Sequence, residues 1–137
     1  MRVKSYQVSF LLLLFAFSVQ VEAATFYIDP TCSVAGDGST SVCTGAGGTS
    51  PLTGITSPAS NNTYLFKAGT TLNKTTPISI NGVTNVTLST YGGTERAKVT
   101  VDSTNHFALY IHNSTNISVS NLAFTAVKET VTYESAI

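Results

Sequence analysis

The sequence predicts an all-β chain wound as a parallel β-solenoid, and three observations carry that prediction. First, one pattern is written twice. Ile78-Ser79-Ile80-Asn81-Gly82-Val83-Thr84-Asn85-Val86-Thr87-Leu88-Ser89 returns as Leu109-Tyr110-Ile111-His112-Asn113-Ser114-Thr115-Asn116-Ile117-Ser118-Val119-Ser120, each position 31 residues further on. Self-similarity at a period of about 20–50 residues marks folds that stack one unit on the next. Second, the unit carries β signals: apolar residues at every second position, with Val, Ile, Thr and Tyr prominent. Ile78 and Ile80 share one face, as do Val86 and Leu88, and Leu109, Ile111, Ile117 and Val119 repeat the arrangement. Third, the links are too brief for helices. Parallel strands of one sheet need a crossover of about a dozen or more residues, and a coil that passes through two other sheets before returning supplies it.

Between the two copies, Ser89-Thr90-Tyr91-Gly92-Gly93 ends in a turn, and Lys98-Val99-Thr100-Val101 reads as a third strand of the coil. Asn85 and Asn116 hold the same place, just before a strand. Asn tolerates the left-handed backbone of a sharp bend. Stacked in register and turned inward, the two amides are expected to form a hydrogen-bonded ladder along the axis.

Taken from the start, residues 1–23 read as a secretory signal peptide. Arg2 and Lys4 precede the unbroken apolar run Phe10 to Phe17, and Val21-Glu22-Ala23 sets small residues for cleavage before Ala24. A membrane span needs about 20 apolar residues, and this run is too short, so the expected product is secreted and free of the membrane. Beyond Ala23 the basic residues are Lys67, Lys74, Arg96, Lys98 and Lys128, and the acidic ones Asp29, Asp37, Glu95, Asp102, Glu129 and Glu134. They form no basic stripe, which excludes nucleic acid and anionic lipid as partners. Only 10% of the chain is charged, so its surface is made chiefly of hydroxyls and amides.

Residues 24–60 are expected to form a cap. Thr25-Phe26-Tyr27-Ile28 is a strand stopped by Asp29-Pro30, and a Gly-, Ser- and Thr-rich loop follows. It holds both cysteines, Cys32 and Cys43, which in an exported chain read as one disulfide. Closing this short loop is worth roughly 3 kcal/mol in the chain-entropy account. Zinc is disfavoured, because His106 and His112 lie far along the chain. Gly36-Asp37-Gly38-Ser39-Thr40 offers one carboxylate where calcium wants six to eight oxygens, so it reads as a turn. Gly45-Ala46-Gly47-Gly48 lacks the lysine and following helix of a phosphate loop. No cofactor is evident.

Residues 61–137 are read as the first coils. Thr63-Tyr64-Leu65-Phe66-Lys67 is a strand, and Ala68-Gly69-Thr70-Thr71 turns it. From here the order of motifs is distinctive: Phe26-Tyr27-Ile28-Asp29-Pro30, Gly36-Asp37-Gly38, Tyr64-Leu65-Phe66-Lys67-Ala68-Gly69-Thr70, Pro77 to Gly82, Asn85 to Gly93, and Asn116 to Phe124. That order resembles the N-terminal portion of secreted right-handed parallel β-helix proteins, the pectin-lyase-like superfamily, over most of residues 25–126. The resemblance implies a polysaccharide as partner. Members include polysaccharide lyases and glycoside hydrolases of acidic polymers, as well as surface proteins without known catalysis.

The catalytic residues of that superfamily have no match here. Its calcium-holding aspartate clusters are absent, and any calcium is left to coils beyond Ile137. Glycoside hydrolysis generally needs two carboxylates across a sugar; Glu95 and Asp102 are the nearest approach, and Arg96 and Lys98 beside them suggest surface pairing instead. His106 and His112 read as bend or surface residues. Tyr64, Tyr91 and Tyr110 offer either a sugar platform or ordinary packing. The expectation is therefore an inactive chain related to polysaccharide-acting enzymes, with a non-catalytic glycan-binding or adhesin-type protein as the alternative. A disulfide-stapled sandwich with an accidental repeat is a third reading.

Two further expectations follow. N-glycosylation triplets begin at Asn61, Asn73, Asn85, Asn113 and Asn116. Asn61, Asn73 and Asn113 suit exposed turns, whereas an inward ladder would exclude Asn85 and Asn116. The stack also ends on Leu122, Phe124 and Val127 after fewer than three coils, where at least three are usual. This reads as a truncated chain whose open edge is covered by missing coils.

Overall fold

The computed structural model describes residues 22–44, 49–102 and 107–127. The expected leader therefore lies outside the described residues except for Glu22 and Ala23, and so do the Gly45–Gly48 run, His106 and Lys128. Nine strands form among the described residues, and no helix. They are β1 (Thr25–Ile28), β2 (Thr63–Lys67), β3 (Thr71–Lys74), β4 (Ile78–Asn81), β5 (Thr84–Tyr91), β6 (Ala97–Asp102), β7 (Leu109–His112), β8 (Thr115–Val119) and β9 (Leu122–Val127).

Every pairing is parallel. One sheet runs β1-β2-β5-β8, a second β3-β6-β9, and a third β4-β7. From β2 onward the chain visits first, second and third sheet in that cyclic order, so each strand returns to its sheet only after passing through the other two. This arrangement is compatible with a parallel β-solenoid.

Register follows the apolar alternation. Val86 faces Ile117 and Leu88 faces Val119; Ile78 faces Leu109 and Ile80 faces Ile111; Leu72 faces Val99, which faces Phe124. Because side chains alternate across a strand with period two, a slip of one residue would turn each of these rows outward. Ile28, Phe66, Ile78, Ile80, Val86, Leu88, Val99 and Val101 are fully buried and form one apolar core.

The spacing is less uniform than the repeat suggests. It is 31 residues between Asn85 and Asn116 but 24 between Asn61 and Asn85. The shorter interval hides one coil from a search for a fixed period. The strand β3 was also not legible: the sequence reading makes Thr71 the end of a turn, and the segment carries a single apolar residue, Leu72.

Left-handed backbone marks the corners. Asn61, Asn85, Asn113, Asn116 and Asn121 all have positive φ, as do Gly69, Gly82 and Gly92. Gly82 and Asn113 occupy the same place in successive copies, so glycine and asparagine serve one steric requirement. The ladder has three rungs rather than two. The Asn116 amide nitrogen donates to Asn85 Oδ1 at 2.7 Å, and that of Asn85 donates to Asn61 Oδ1 at 2.8 Å. It is not inward: Asn85 and Asn116 are exposed and Asn61 half-buried. A corner residue in the left-handed region points its side chain away from the apolar core, and the amides pair along the outer edge. Exposure thus removes the expected ground for excluding Asn85 and Asn116 as glycan acceptors. A hydrogen-bonded amide nitrogen replaces it, and Asn61 belongs to the ladder rather than to a free turn.

Asn85→Ala is expected to cost about 2 kcal/mol in urea unfolding, from one residue held left-handed and two modest hydrogen bonds lost. Asn85→Gly should cost about half as much, since glycine adopts φ 56° without strain. Equal losses in the two variants would show that the corner conformation carries no energy.

Candidate functional site

The cap is built on β1. The Tyr27 amide donates to Gly38 O at 2.9 Å, Leu52 N to Tyr27 O at 2.8 Å, and Asp29 N to Leu52 O at 2.9 Å. Loop residues thus take up the outer hydrogen-bonding edge of the first strand. Further on, Ser79 N donates to Thr56 O at 2.8 Å, which ties the loop to β4. Gly36 lies so close to the Ser50 backbone that a side chain would collide with it. Cys32 and Cys43 form a disulfide with Cα atoms 5.7 Å apart, which closes the loop from within.

At the centre of the cap Asp29 is fully buried. Lys67 Nζ lies 2.7 Å from its Oδ2, and the Thr31 amide and hydroxyl donate to Oδ1 at 2.9 and 2.6 Å. Burial pushes the carboxyl up, but these hydrogen bonds and the Lys67 charge together hold it below the ordinary value. Cys43 Sγ touches Oδ2 at 3.6 Å; as a disulfide sulfur it carries no proton, so this is a contact only. Asp29, Cys32 and Cys43 cluster as metal ligands would, but the disulfide leaves no thiolate to bind an ion. Tyr91 packs edge-on against Tyr27. Its hydroxyl is buried without a partner, and its pKa is pushed up to about 12, by burial first and then by the Asp29 and Tyr27 charges.

Between the cap loop and β3 the two elements part. Among the described residues no backbone hydrogen bond joins 53–56 to β3, and a cavity of about 710 Å³ opens there. Thr53, Thr56, Asn73, Thr75 and Thr76 supply its polar wall, Ile55 and Leu72 its apolar floor, and Lys74 and Asp102 its charges. Lys74 is the unusual member. It leaves β3 on the same face as buried Leu72 and is paired in register with buried Val101, at a position that an aliphatic residue would fill elsewhere in the stack. Its ammonium reaches Thr56 Oγ1 at 3.1 Å, and burial pulls its pKa below the ordinary lysine value. The groove can therefore offer hydroxyls, an amide, free strand-edge groups and one partly desolvated cation to a ligand.

The expected site residues are scattered. Asp102 lines the groove, but Glu95 lies apart, against Gly69. Neither pairs with Arg96 or Lys98: among the described residues Lys67–Asp29 is the one ion pair. Surface pairing was the wrong reading there. Asp37 accepts from the Ser39 amide and hydroxyl at 2.9 and 2.6 Å, bonds that hold its carboxyl below the ordinary value and make a local turn. Asn73 lines the groove and Asn113 stands exposed at a corner. Tyr64 is a core residue stacked on Phe26, its hydroxyl accepting from Ala59 N at 2.9 Å. Tyr110 is exposed and stacks on His112, whose Nδ1 lies 3.4 Å from Asn81 Oδ1. Lys74 and Thr56 escaped sequence reasoning. The one signal was a lysine two residues after Leu72, which becomes informative only once 71–74 is known to be a strand.

The Asp29 carboxyl titrates lower in the folded than in the unfolded chain, so its stabilisation is complete above the unfolded value of about 3.9 and fades as pH falls through the folded one. Urea unfolding across pH 2–7 should show wild-type stability falling steeply on the acid side. Asp29→Asn should be weaker at neutral pH with a flatter acid limb; parallel limbs would deny Asp29 this role.

No protein-family model matches the chain, and no curated protein or solved structure shows significant similarity to it.

Proposed function

We propose that this protein is an extracellular parallel β-solenoid that binds a glycan in the groove between its cap loop and β3, and does not cleave it. The supporting observation is Lys74, held at a core-facing position and partly stripped of water beside a wall of threonines and asparagine. Hydroxyls and amides match the hydroxyls of a sugar, and a partly desolvated ammonium favours a saccharide that carries a carboxylate. Secretion rests on the leader-like residues 1–23, with the disulfide in keeping with an oxidising compartment. The cyclic visiting of three parallel sheets supports a solenoid. The right-handed sense is that of nearly all parallel crossovers, and the motif order likens the chain to the pectin-lyase-like superfamily. Binding without cleavage is favoured by the carboxylates: among the described residues Asp102 is the only one lining the groove, and hydrolysis of a glycosidic bond generally takes two.

Calorimetry with oligogalacturonate and with a neutral oligosaccharide tests the reading on wild-type protein exported to a bacterial periplasm, which leaves Asn73 without a host glycan. The acidic oligomer should bind, and Lys74→Ala should weaken it at least tenfold, since hydrogen bonds to charged groups are worth about 1.5–3 kcal/mol. No new reducing ends or unsaturated products should form. Absence of binding, indifference to Lys74→Ala, or release of product would each defeat the proposal.

A further inference from the structure

The fold treats the asparagines of the glycosylation triplets differently. A glycan is bulky and must stay in solvent, and it is joined through the amide nitrogen. The Asn116 nitrogen already donates to Asn85, and the Asn85 nitrogen to Asn61. Asn61 is half-buried, and its oxygen takes the Asn85 bond. Asn73 and Asn113 are left. Both are exposed, and among the described residues no hydrogen bond holds either side chain.

These two differ in what lies beside them. Asn113 stands at a corner with positive φ. Asn73 belongs to β3, and its whole triplet, Asn73-Lys74-Thr75, lines the cavity between the cap loop and β3. Asn73 and Thr75 are exposed while Lys74 between them is half-buried, as alternation along an extended chain requires. The acceptor nitrogen, the hydroxyl that completes the triplet and the groove's cation thus share one short segment. At about 710 Å³ the cavity is of the size that small ligands fill, about 300–1,000 Å³.

We propose that Asn73 carries an N-linked glycan and that this glycan closes the groove over Lys74. The donor is a lipid-pyrophosphate-linked oligosaccharide. A bond forms between Asn73 Nδ2 and C1 of the first sugar, and the bond from C1 to the pyrophosphate oxygen breaks. The lipid pyrophosphate leaves with that electron pair, and the amide gives up one proton; nothing is oxidised or reduced. The attached sugar is neutral, so it covers the Lys74 ammonium without pairing with it. Its hydroxyls meet the same threonines that a free glycan would use. A glycosylated chain therefore has its groove filled from synthesis, and an unglycosylated chain has it open. The effect on ligand binding rests on the proposed use of the groove; attachment and the shielding of Lys74 do not.

The full wild-type chain is compared in two forms, secreted from a glycosylating eukaryotic cell and exported to a bacterial periplasm. Glycosidase release in heavy-oxygen water, followed by peptide mapping, should mark Asn73 in the secreted form and leave Asn85 and Asn116 unmarked. In that form an amine-reactive ester should acylate Lys74 about tenfold more slowly, with exposed Lys98 unchanged, and oligogalacturonate should bind about tenfold more weakly. Asn113→Gln from the eukaryotic cell should shield Lys74 as the wild type does. An unmarked Asn73, or equal acylation of Lys74 in the two forms, overturns the proposal. Shielding lost in Asn113→Gln overturns its location, and a marked Asn85 or Asn116 overturns the selection among triplets. Equal binding of oligogalacturonate by the two forms overturns the closure. If it binds neither form, the ligand reading falls, while slower acylation of Lys74 still upholds the closed groove.

Discussion

Parallel pairing is the constraint from which the architecture follows. Two neighbouring parallel strands cannot be joined by a tight turn; the chain must travel back to the starting end before it can pair again. Here the return journey is itself made of strands. Between β2 and β5 the chain lays down β3 and β4, so that the connection of one sheet is the substance of the other two. Each coil then buries its inward row only against the coils beside it. Val86 is sealed because Ile117 lies in register with it, and Ile80 because Ile111 does. Stability is therefore a sum over neighbours, and the ends are the places where the sum is incomplete.

The protein deals with its first end by spending a long polar loop on it. That loop has no strand of its own and stays in place through backbone bonds to β1 and β4, one disulfide, and the Asp29–Lys67–Thr31 cluster. Burying a carboxylate is costly unless it is paired and hydrogen-bonded, and Asp29 has both an ammonium and two donors from Thr31. The rigidity this gives is local. Where 53–56 run past β3, no backbone bond joins the two among the described residues, and the resulting groove exposes Lys74 at a level that is solid core one coil further on. A groove at the junction of a cap and a repeat needs no special fold; it needs only that two elements fail to meet.

The corners obey a different logic from the strands. Among the described residues five asparagines take the left-handed backbone that the bends demand, and three of them turn that necessity into a ladder, Asn116 donating to Asn85 and Asn85 to Asn61. A second row of the same kind runs beside it, with Ser89 against Ser120 at 2.9 Å and Asn121 donating to Thr90 at 2.6 Å. These exposed polar rows contribute less per bond than the buried core. They reinforce the axial register that the apolar rows set, because a shifted coil would break every rung at once.

The amino-acid sequence alone determined the strand alternation, the matched positions of β4 with β7 and β5 with β8, and the bends at Asn85 and Asn116. Each of these is a local pattern that survives without knowledge of neighbours. The disulfide too was legible, as the pairing of two cysteines with no others present. Tertiary structure decided the rest, because the rest is about what lies across from what. The coil between Asn61 and Asn85 is shorter than its successor, so no fixed period reveals it, and β3 has too few apolar residues to announce itself. Asn61 begins a glycosylation triplet in the sequence and is a ladder rung by position. Lys74 is an ordinary surface lysine until Leu72 and Val101 show which way it faces, and Thr56, distant in sequence, becomes its partner only when the cap is folded down. Whether an amide points in or out, and whether a lysine is solvated or walled in, depends on chain segments brought together from far apart, which is information that local spacing does not hold.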